Sequence, residues 1–397
     1  MSLKELVQAE VPSITEIRRD LHRHPELGYQ EKRTSEVVQR ELGAHGVEFV
    51  GGLAKGTGVL GYLPATISPE SAPTIALRAD MDALPILERT GLPYASSTEG
   101  VMHACGHDGH TSILIGSARL LSRMRERTNN VVFVFQPAEE GGAGGREMVK
   151  DGALNGSVLG KRVDRIFGLH CYPGLKVGEI QTRVGPMMAA ADMFDIIVHG
   201  SGGHAAMPHT TVDPIVIASH IVTALQSIAA RNVSPLESIV VTVAQVQAGS
   251  AHNIIPETAT LTGTLRALTD QTRDLGIANI ERIATKTAEA FGGRAEFIFK
   301  PGYPVTANDA EMASIVRSVG SSELGVMVKQ DDIMPTMGAE DFSFYGLEVP
   351  ACFYWLGVLP EDQDSYPNLH APEFNFNDGA LENGMRMMCR LALEPVG

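Results

Sequence analysis

Met102 to Thr111 reads Met-His-Ala-Cys-Gly-His-Asp-Gly-His-Thr, which puts three histidines, a cysteine and an aspartate within ten residues. Cysteine thiolate and histidine imidazole together suit zinc and similar divalent ions. A polar loop with a buried thiol and solvated histidines is the plainer reading. The stretch alone leaves both open, because no second Cys-x-His pair follows. Gln136-Pro-Ala-Glu-Glu140 ends in two adjacent carboxylates. Their repulsion would be relieved by a nearby cation, with one ligating and the other left to act as a base; a solvated acidic turn is the alternative. His170 follows the apolar run Ile166-Phe-Gly-Leu169, and His370 lies in Asn368-Leu-His-Ala-Pro-Glu373. Singly these read as a core histidine and a surface histidine. Their joint placement with Cys105 and His107 is what points to a metal.

A second group lies further on. Gly200-Ser-Gly-Gly-His204-Ala-Ala-Met-Pro-His209 is a glycine-rich loop with two histidines, Asn253 sits in Ser250-Ala-His-Asn-Ile-Ile-Pro256, and Arg266 closes Gly263-Thr-Leu-Arg266. Asn and Arg donors suit a carboxylate, which Arg can bind through two parallel hydrogen bonds. On the residues alone a turn Asn and a surface ion pair explain them better. His22, His24, His45 and His220 read as solvent-facing or as filling helix surfaces. Trp355 reads as core, and Cys352 and Cys389 as small buried hydrophobes.

These residues need elements to hold them. Ser13-Ile-Thr-Glu16 has the form of a capping box, followed by Ile14, Ile17 and Leu21 at helical spacing and stopped by Pro25. Thr34 to Leu42 reads as a second helix ended by Gly43, and Leu114, Ala118 and Leu121 put a helix after Thr111. Strands are expected at Gly58 to Leu63, Thr74 to Leu77, Asn130 to Phe135 and Ile166 to Leu169, with a helix over Arg146 to Lys150. Continuous apolar runs such as Val-Val-Phe-Val-Phe suit strands buried on both faces, as in a parallel sheet. Asp80, Asp82, Glu139, Glu140 and His170 would then sit just past strand ends, the edge where open α/β sheets bind ligands.

After Pro186 the pattern becomes strand (Met193 to Val198), helix (Asp213 to Ala230), two alternating strands (Ser238 to Gln247, Thr258 to Leu265), helix (Gln271 to Phe291) and strand (Ala295 to Phe299). The order β-α-β-β-α-β is that of a ferredoxin-like unit. The chain then resumes with a helix (Asp309 to Leu324), a loop, a strand (Ala351 to Leu356) and a last helix (Asp378 to Leu393). The expected fold class is therefore α/β: a mixed, centrally parallel sheet flanked by helices, interrupted by an inserted ferredoxin-like α+β domain. Residues 1–186 and 301–397 would form the main domain and 187–300 the insert, with linkers near Pro186 and Pro301.

Composition narrows the class. With 397 residues the expectation is two or three domains, and 44% hydrophobic and 20% charged residues suit a globular protein. The net charge of −15 and the lack of a basic run argue against a nucleic-acid partner. Four scattered cysteines suit a reducing compartment rather than a disulfide scaffold. Met1 to Glu10 has no apolar segment of a signal peptide, and no apolar run reads as long enough to span a bilayer, so the expectation is a cytoplasmic protein without a membrane partner.

Taken together, His103-Ala-Cys-Gly-His-Asp-Gly-His110, Gln136-Pro-Ala-Glu-Glu140, Gly168-Leu-His170, Gly202-Gly-His-Ala-Ala-Met-Pro208 and the Asn253 and Arg266 segments resemble the aminoacylase/carboxypeptidase-like metallo-amidohydrolases. The nearest branch is hippurate hydrolase and the indoleacetyl-amino-acid hydrolases. The likeness runs from about Ile17 to the carboxyl terminus. It implies a two-metal α/β catalytic domain, 1–186 and 301–397, interrupted by a ferredoxin-like lid, 187–300, with the linkers near Pro186 and Pro301 as hinges. It further implies that Cys105 bridges two divalent ions, that His107 and His170 complete one site, and that Glu140 and His370 complete the other. Glu139 would be the general base and Asp82 a carboxylate orienting a ligand. His204 would steady the tetrahedral intermediate, while Asn253 and Arg266 would hold the substrate carboxylate. The wider family often has a metal-binding His where this sequence has Asp80, so the resemblance leaves Asp80's role open and agrees with His107 as the substitute ligand.

The implied reaction is hydrolysis of an N-acyl amino acid, aromatic acyl or acetyl, to a carboxylic acid and a free amino acid. A dipeptidase, carboxypeptidase or biosynthetic N-acetyl-amino-acid deacetylase would use the same centre. A non-catalytic protein with a structural metal is the reading from another class, but closed structural zinc sites take four protein ligands, whereas five candidates are shared here between two ions. Zinc or manganese, with nickel or cobalt as alternatives, fits the donors. The lid strands would pair two subunits as a homodimer.

Overall fold

Two Ser-x-x-Glu sequences lie near the amino terminus, and the helix starts at the first. The computed structural model describes residues 2–325 and 333–395. Ser2 caps α1 (Leu3–Arg23) in a reciprocal box with Glu5, so Ser13–Glu16 lies inside the helix, as does Pro12. The expected start was late because both boxes satisfy the same rule.

In chain order α2 (Lys32–Ala44), β1 (Glu48–Leu53), β2 (Gly58–Leu63), β3 (Thr74–Asp80), α3 (His107–Arg123), β4 (Asn130–Gln136), α4 (Gly144–Lys150), β5 (Arg165–Lys176) and β6 (Ile180–Gln181) follow. Next come β7 (Ala190–His199), α5 (Pro214–Leu225), β8 (Ile239–Ala248), β9 (Thr258–Ala267), α6 (Asp270–Ala290), β10 (Arg294–Tyr303), α7 (Ala310–Leu324), β11 (Ala351–Leu359) and α8 (Ala380–Leu393). The loop expected between Leu324 and Ala351 lies in part outside the described residues. β1 was not expected: Gly51 and Gly52 interrupt its pattern and sit at a register shift against β2.

The chain forms two compact units. One comprises Met1–Gly185, Ala307–Met334 and Asp341–Gly397; the other comprises Pro186–Thr306 and Pro335–Glu340. The first holds a seven-stranded sheet in the order β1-β2-β4-β3-β5-β11-β6. Its centre, β4-β3-β5-β11, is parallel, and its flanks pair antiparallel. β4 is almost wholly β-branched and aromatic, and β3, β4 and β11 are buried along their whole length. That is what a sheet covered on both faces requires. α3 is buried from His107 through Leu121. It packs with α1 and α8 in one core that includes Ile14, Leu21, Leu114, Leu121, Phe133 and Met385.

From β3 the chain crosses to β4 on one side, and from β4 it crosses back over to β5 on the other. This is a topological switch point, at the carboxyl ends of β3 and β5. β5 runs to Lys176, so His170 lies within a strand rather than after one. Its pairing with β3 reaches only Gly168, whereas β11 follows it further, with Trp355 opposite His170.

The second unit is a four-stranded antiparallel sheet, β8-β9-β7-β10. That is the ferredoxin-like order, fourth strand beside first beside third beside second. Phe194, Ile196 and Val198 alternate inward on β7 and meet Ile217, Ile221 and Leu225 of α5 and Ile280, Ala284 and Ala288 of α6. Contrary to the expectation from sequence, one helical stretch, Pro214–Asn232, is long and apolar enough to cross a bilayer by length and composition. Its buried residues Ile217, Ile221, Leu225 and Ile228 belong to this unit's core.

Candidate metal centre

The backbone around Cys105 is fixed first. Gly106 has φ +84°, and a Cβ there would stand 2.5 Å from Cys171 Sγ. Only glycine takes that conformation without strain. The turn swings the chain into α3 and leaves Cys105 and His107 on either side of it. Cys105 Sγ lies 3.3 Å from His170 Nε2. With Glu140 and His370 it also forms a group whose donor atoms lie within 4.8 Å of one another. His370 is brought in by its own amide, which donates to Ala104 O at 2.8 Å, and by a left-handed φ of 65°. Its Nε2 stands 3.2 Å from Glu140 Oε1. His107, Glu139 and Glu140 form a second such group.

His107 and His170 are each oriented by a bond at the other ring nitrogen. His107 Nδ1 donates to Asp82 O at 2.8 Å, and His170 Nδ1 to Cys171 O at 2.8 Å. Both Nε2 atoms are thereby left as the donors toward a cation, the arrangement usual behind metal-bound imidazoles. His107 Nε2 is buried and makes no hydrogen bond among the described residues, whereas Glu140 Oε1 is buried against His370 Nε2. Buried polar atoms seldom go unsatisfied, so this orphaned imidazole nitrogen, beside a thiol, two further imidazoles and a carboxylate, fits a pair of divalent ions.

A third group, Asp80, His107, His110 and His170, also meets the distance condition. Its hydrogen bonds remove two members from contention. His110 Nδ1 donates to Asp80 Oδ1 at 2.7 Å, and its Nε2 accepts from Cys171 N at 2.9 Å. Asp80 Oδ2 accepts from Arg78 Nη1 at 2.8 Å. Arg78, wholly buried, also reaches Gln136 Oε1 at 2.9 Å and Asp341 Oδ1 at 3.0 Å. The Asp341 amide in turn donates to Glu139 Oε1 at 3.4 Å. Arg78 and Asp341 thus tie the end of β3 to Glu139. Sequence reading missed both, since neither a charged residue in a buried strand, Arg78, nor one in a turn, Asp341, carries a local mark of its partners.

Asp82 does more than orient His107. Its two carboxylate oxygens accept the amides of Glu139 and Glu140, each at 3.0 Å. The turn they hold begins at Ala138, with φ 51° and ψ 47°. Gly144 lets the chain return, for a Cβ there would stand 1.6 Å from Pro137 O.

The electrostatics favour a cation. Burial and Glu140 push the Cys105 thiol well above its usual range. Burial would lower His107, but Asp80 and Asp82 outweigh it and raise the ring to about 10. Burial would raise Asp80, yet His107, His110 and Arg78 hold it well below the usual carboxylate range. Burial and His110 lower His170 well below its usual value.

Behind the centre, His22 corrects an expectation. It is buried, not a helix-surface residue, with Nδ1 2.8 Å from Asp108 and Nε2 3.3 Å from Glu88. Arg18, also buried, pairs with Asp108 at 3.2 Å.

In the second unit, His204 forms a small sheet with Ile254, and the Ala205 amide donates to Asn253 O at 3.1 Å. His204 and Asn253 therefore come together. His204 Nδ1 accepts from the Ala206 amide at 3.0 Å, so its proton sits on Nε2. Arg266 lies on β9 and donates to Met337 O at 3.4 Å; no hydrogen bond among the described residues joins it to His204 or Asn253.

Residues 76–394 match the peptidase family M20/M25/M40. The chain is 39% identical over 378 residues to the N-acetylcysteine deacetylase of Bacillus subtilis, covering 95% of each. It is 39% identical over 381 residues to the IAA-amino acid hydrolase ILR1-like 4 of Arabidopsis thaliana, covering 95% of this chain and 84% of that one. Among solved structures it is similar to the Bacillus subtilis YXEP protein, a dinuclear metal binding peptidase of the M20 family, with a TM-score of 0.84 and 36% identity over 97% of this chain and 98% of that one.

Proposed function

The chain belongs to peptidase family M20/M25/M40, and from that premise we propose that it is a metal-dependent amidohydrolase cleaving N-acyl amino acids to a carboxylic acid and a free amino acid. One observation carries the reading. Cys105, Glu140, His107, His170 and His370 converge, and Glu139 stands within the same group as His107 and Glu140.

In this reading Cys105, His107 and His170 would hold one ion, and Cys105, Glu140 and His370 the other. Zinc or manganese suits the mixture of thiolate, imidazole and carboxylate, with nickel or cobalt as substitutes. When bound, the ions supply Lewis-acid polarisation of the amide and a water acidified toward neutral pH. Glu139 takes the proton of the attacking water and returns it to the leaving amine. Its carboxylate accepts from the Asp341 amide, which helps to fix where the base stands. His204, with its proton on Nε2, donates to the developing oxyanion. Asn253 and Arg266 hold the substrate carboxylate, for which a guanidinium is suited.

Residues 1–186 and 301–397 serve catalysis, and 187–300 form a lid that also pairs two subunits. The enzyme acts in the cytoplasm on a small molecule, with neither nucleic acid nor membrane taking part. The test is Glu139→Gln, assayed on benzoyl-, indoleacetyl- and acetyl-amino acids beside dipeptides. Full metal content with hydrolysis abolished is expected; near-normal turnover would remove Glu139 as the base, and activity on dipeptides alone would replace the substrate class.

A further inference from the structure

We propose that Glu31 is a positioning residue for the reaction: its carboxylate holds the Ala138 amide and with it the left-handed turn that presents Glu139 and Glu140. The inference rests on the roles proposed for those two glutamates.

Three successive amides in this turn are each taken by a carboxylate. Glu139 N and Glu140 N donate to the two oxygens of Asp82 at 3.0 Å, and Ala138 N donates to Glu31 Oε1 at 2.8 Å. Ala138 is an alanine at φ 51°, ψ 47°, a conformation in which Cβ crowds the following carbonyl. Such strain persists only where the surroundings over-determine it. They do so here. Gly28 and Gly142 leave the room that Ala138 Cβ fills, since a Cβ at either would stand 3.0 or 2.6 Å from it.

Glu31 does not serve the helix it begins. It stands at the N-cap of α2, yet its side chain makes no capping bond to that helix. It turns away instead, with Oε2 accepting from Thr57 Oγ1 at 2.8 Å and Oε1 from Ala138. It is wholly buried, and no cation pairs with it among the described residues. Burial pushes its carboxyl up to about 7. A buried carboxylate without a cation is costly to keep, so its retention calls for a compensating use, and the amide of the strained turn supplies one.

The segment bearing Glu31 reaches both loops of the site. Ala83 N donates to Glu26 O at 2.8 Å, next to Asp82, and Tyr29 OH donates to Gly142 O at 2.6 Å, just beyond Glu140. Pro25 to Glu31 thus acts as a clamp on the loops after β3 and β4.

The experiment compares Glu31→Ala, Glu31→Gln and the double variant Glu31→Ala with Ala138→Gly in the metal-loaded full chain, reading kcat and KM, metal stoichiometry and thermal midpoint. Glu31→Ala is expected to lower kcat at least tenfold with KM changed less than twofold. Glu31→Gln, which keeps an acceptor of the same length, should stay within threefold of wild type. Adding Ala138→Gly should restore at least half of the lost activity on a logarithmic scale, because glycine takes the left-handed turn unaided. Unchanged kcat in Glu31→Ala overturns the proposal, as does a double variant that recovers nothing. If Glu31→Ala alone does not fold, the double variant must fold and turn over, and its failure to do so overturns the proposal too. Glu139→Gln is run alongside. If it stays active, the base assignment falls; if it is dead while Glu31→Ala is unimpaired, only the clamp falls.

Discussion

Among single residues, protonation and hydrogen bonding decide most. Cys105, pushed well above its usual range by burial and Glu140, and His107, raised to about 10 against the effect of burial by Asp80 and Asp82, both carry protons at neutral pH. Ligands must lose those protons to bind a metal. Apparent metal affinity should therefore rise with pH throughout the range below about 10. Chelator competition at pH 6, 7 and 8, at about equal ionic strength, checks this; a flat profile contradicts it. Glu31 runs the other way for stability. Its folded value of about 7 exceeds the ordinary 4.5, so the folded chain keeps a proton that the unfolded chain has lost between those values. The stability it contributes is complete below pH 4.5 and is lost as pH rises through about 7. The loss amounts to roughly 3 kcal/mol at most. Melting of metal-free Glu31→Gln across that window should show a shallower decline than wild type. Asp108→Asn leaves Arg18 and His22 buried without their shared carboxylate. A loss of about 3–5 kcal/mol in denaturant unfolding is expected.

Elements succeed or fail as carriers of these residues through a few backbone positions. α3 delivers His107 because Gly106 adopts φ +84°. Gly106→Ala adds both left-handed strain and a Cβ 2.5 Å from Cys171 Sγ. It should cost on the order of 3 kcal/mol and lower metal stoichiometry, since the chain on either side bears Cys105 and His107; a fully metallated variant with a wild-type melt would refute this. Periodicity found the buried strands and both helices of the second unit because each repeats one pattern over several turns or pleats. It lost β1 at Gly51-Gly52 and started α1 late, because a local capping signal does not say which of two equivalent boxes the tertiary packing uses.

At the scale of the whole molecule, the second unit offers β8 as an edge strand. Val246 is 60% exposed along it, and Leu236, just before it, is 94% exposed. A bare apolar edge of this kind is a template for pairing with another chain. The expected outcome is a homodimer in sedimentation at micromolar protein, shifted toward monomer by Val246→Lys; a wild-type protein that sediments only as monomer would refute the pairing.

The sequence by itself determined the alternation of strands and helices, the ferredoxin-like order of the middle segment, and the residue types able to hold cations. These follow from local periodicity and donor chemistry, which neighbouring residues suffice to express. Its resemblance to a family nominated Cys105, His107, Glu140, His170 and His370 together, although 265 residues separate the first from the last. Only the tertiary structure decided that His110 and Asp80 spend their polar atoms on protein partners, that Arg78 and Asp341 brace Glu139, that His22 is buried, and that Glu31 grips the turn at Ala138. Each of these is a hydrogen bond between segments distant in the chain. Which donor meets which acceptor is set by the sheet order and crossover connections, and short-range sequence signals do not encode them.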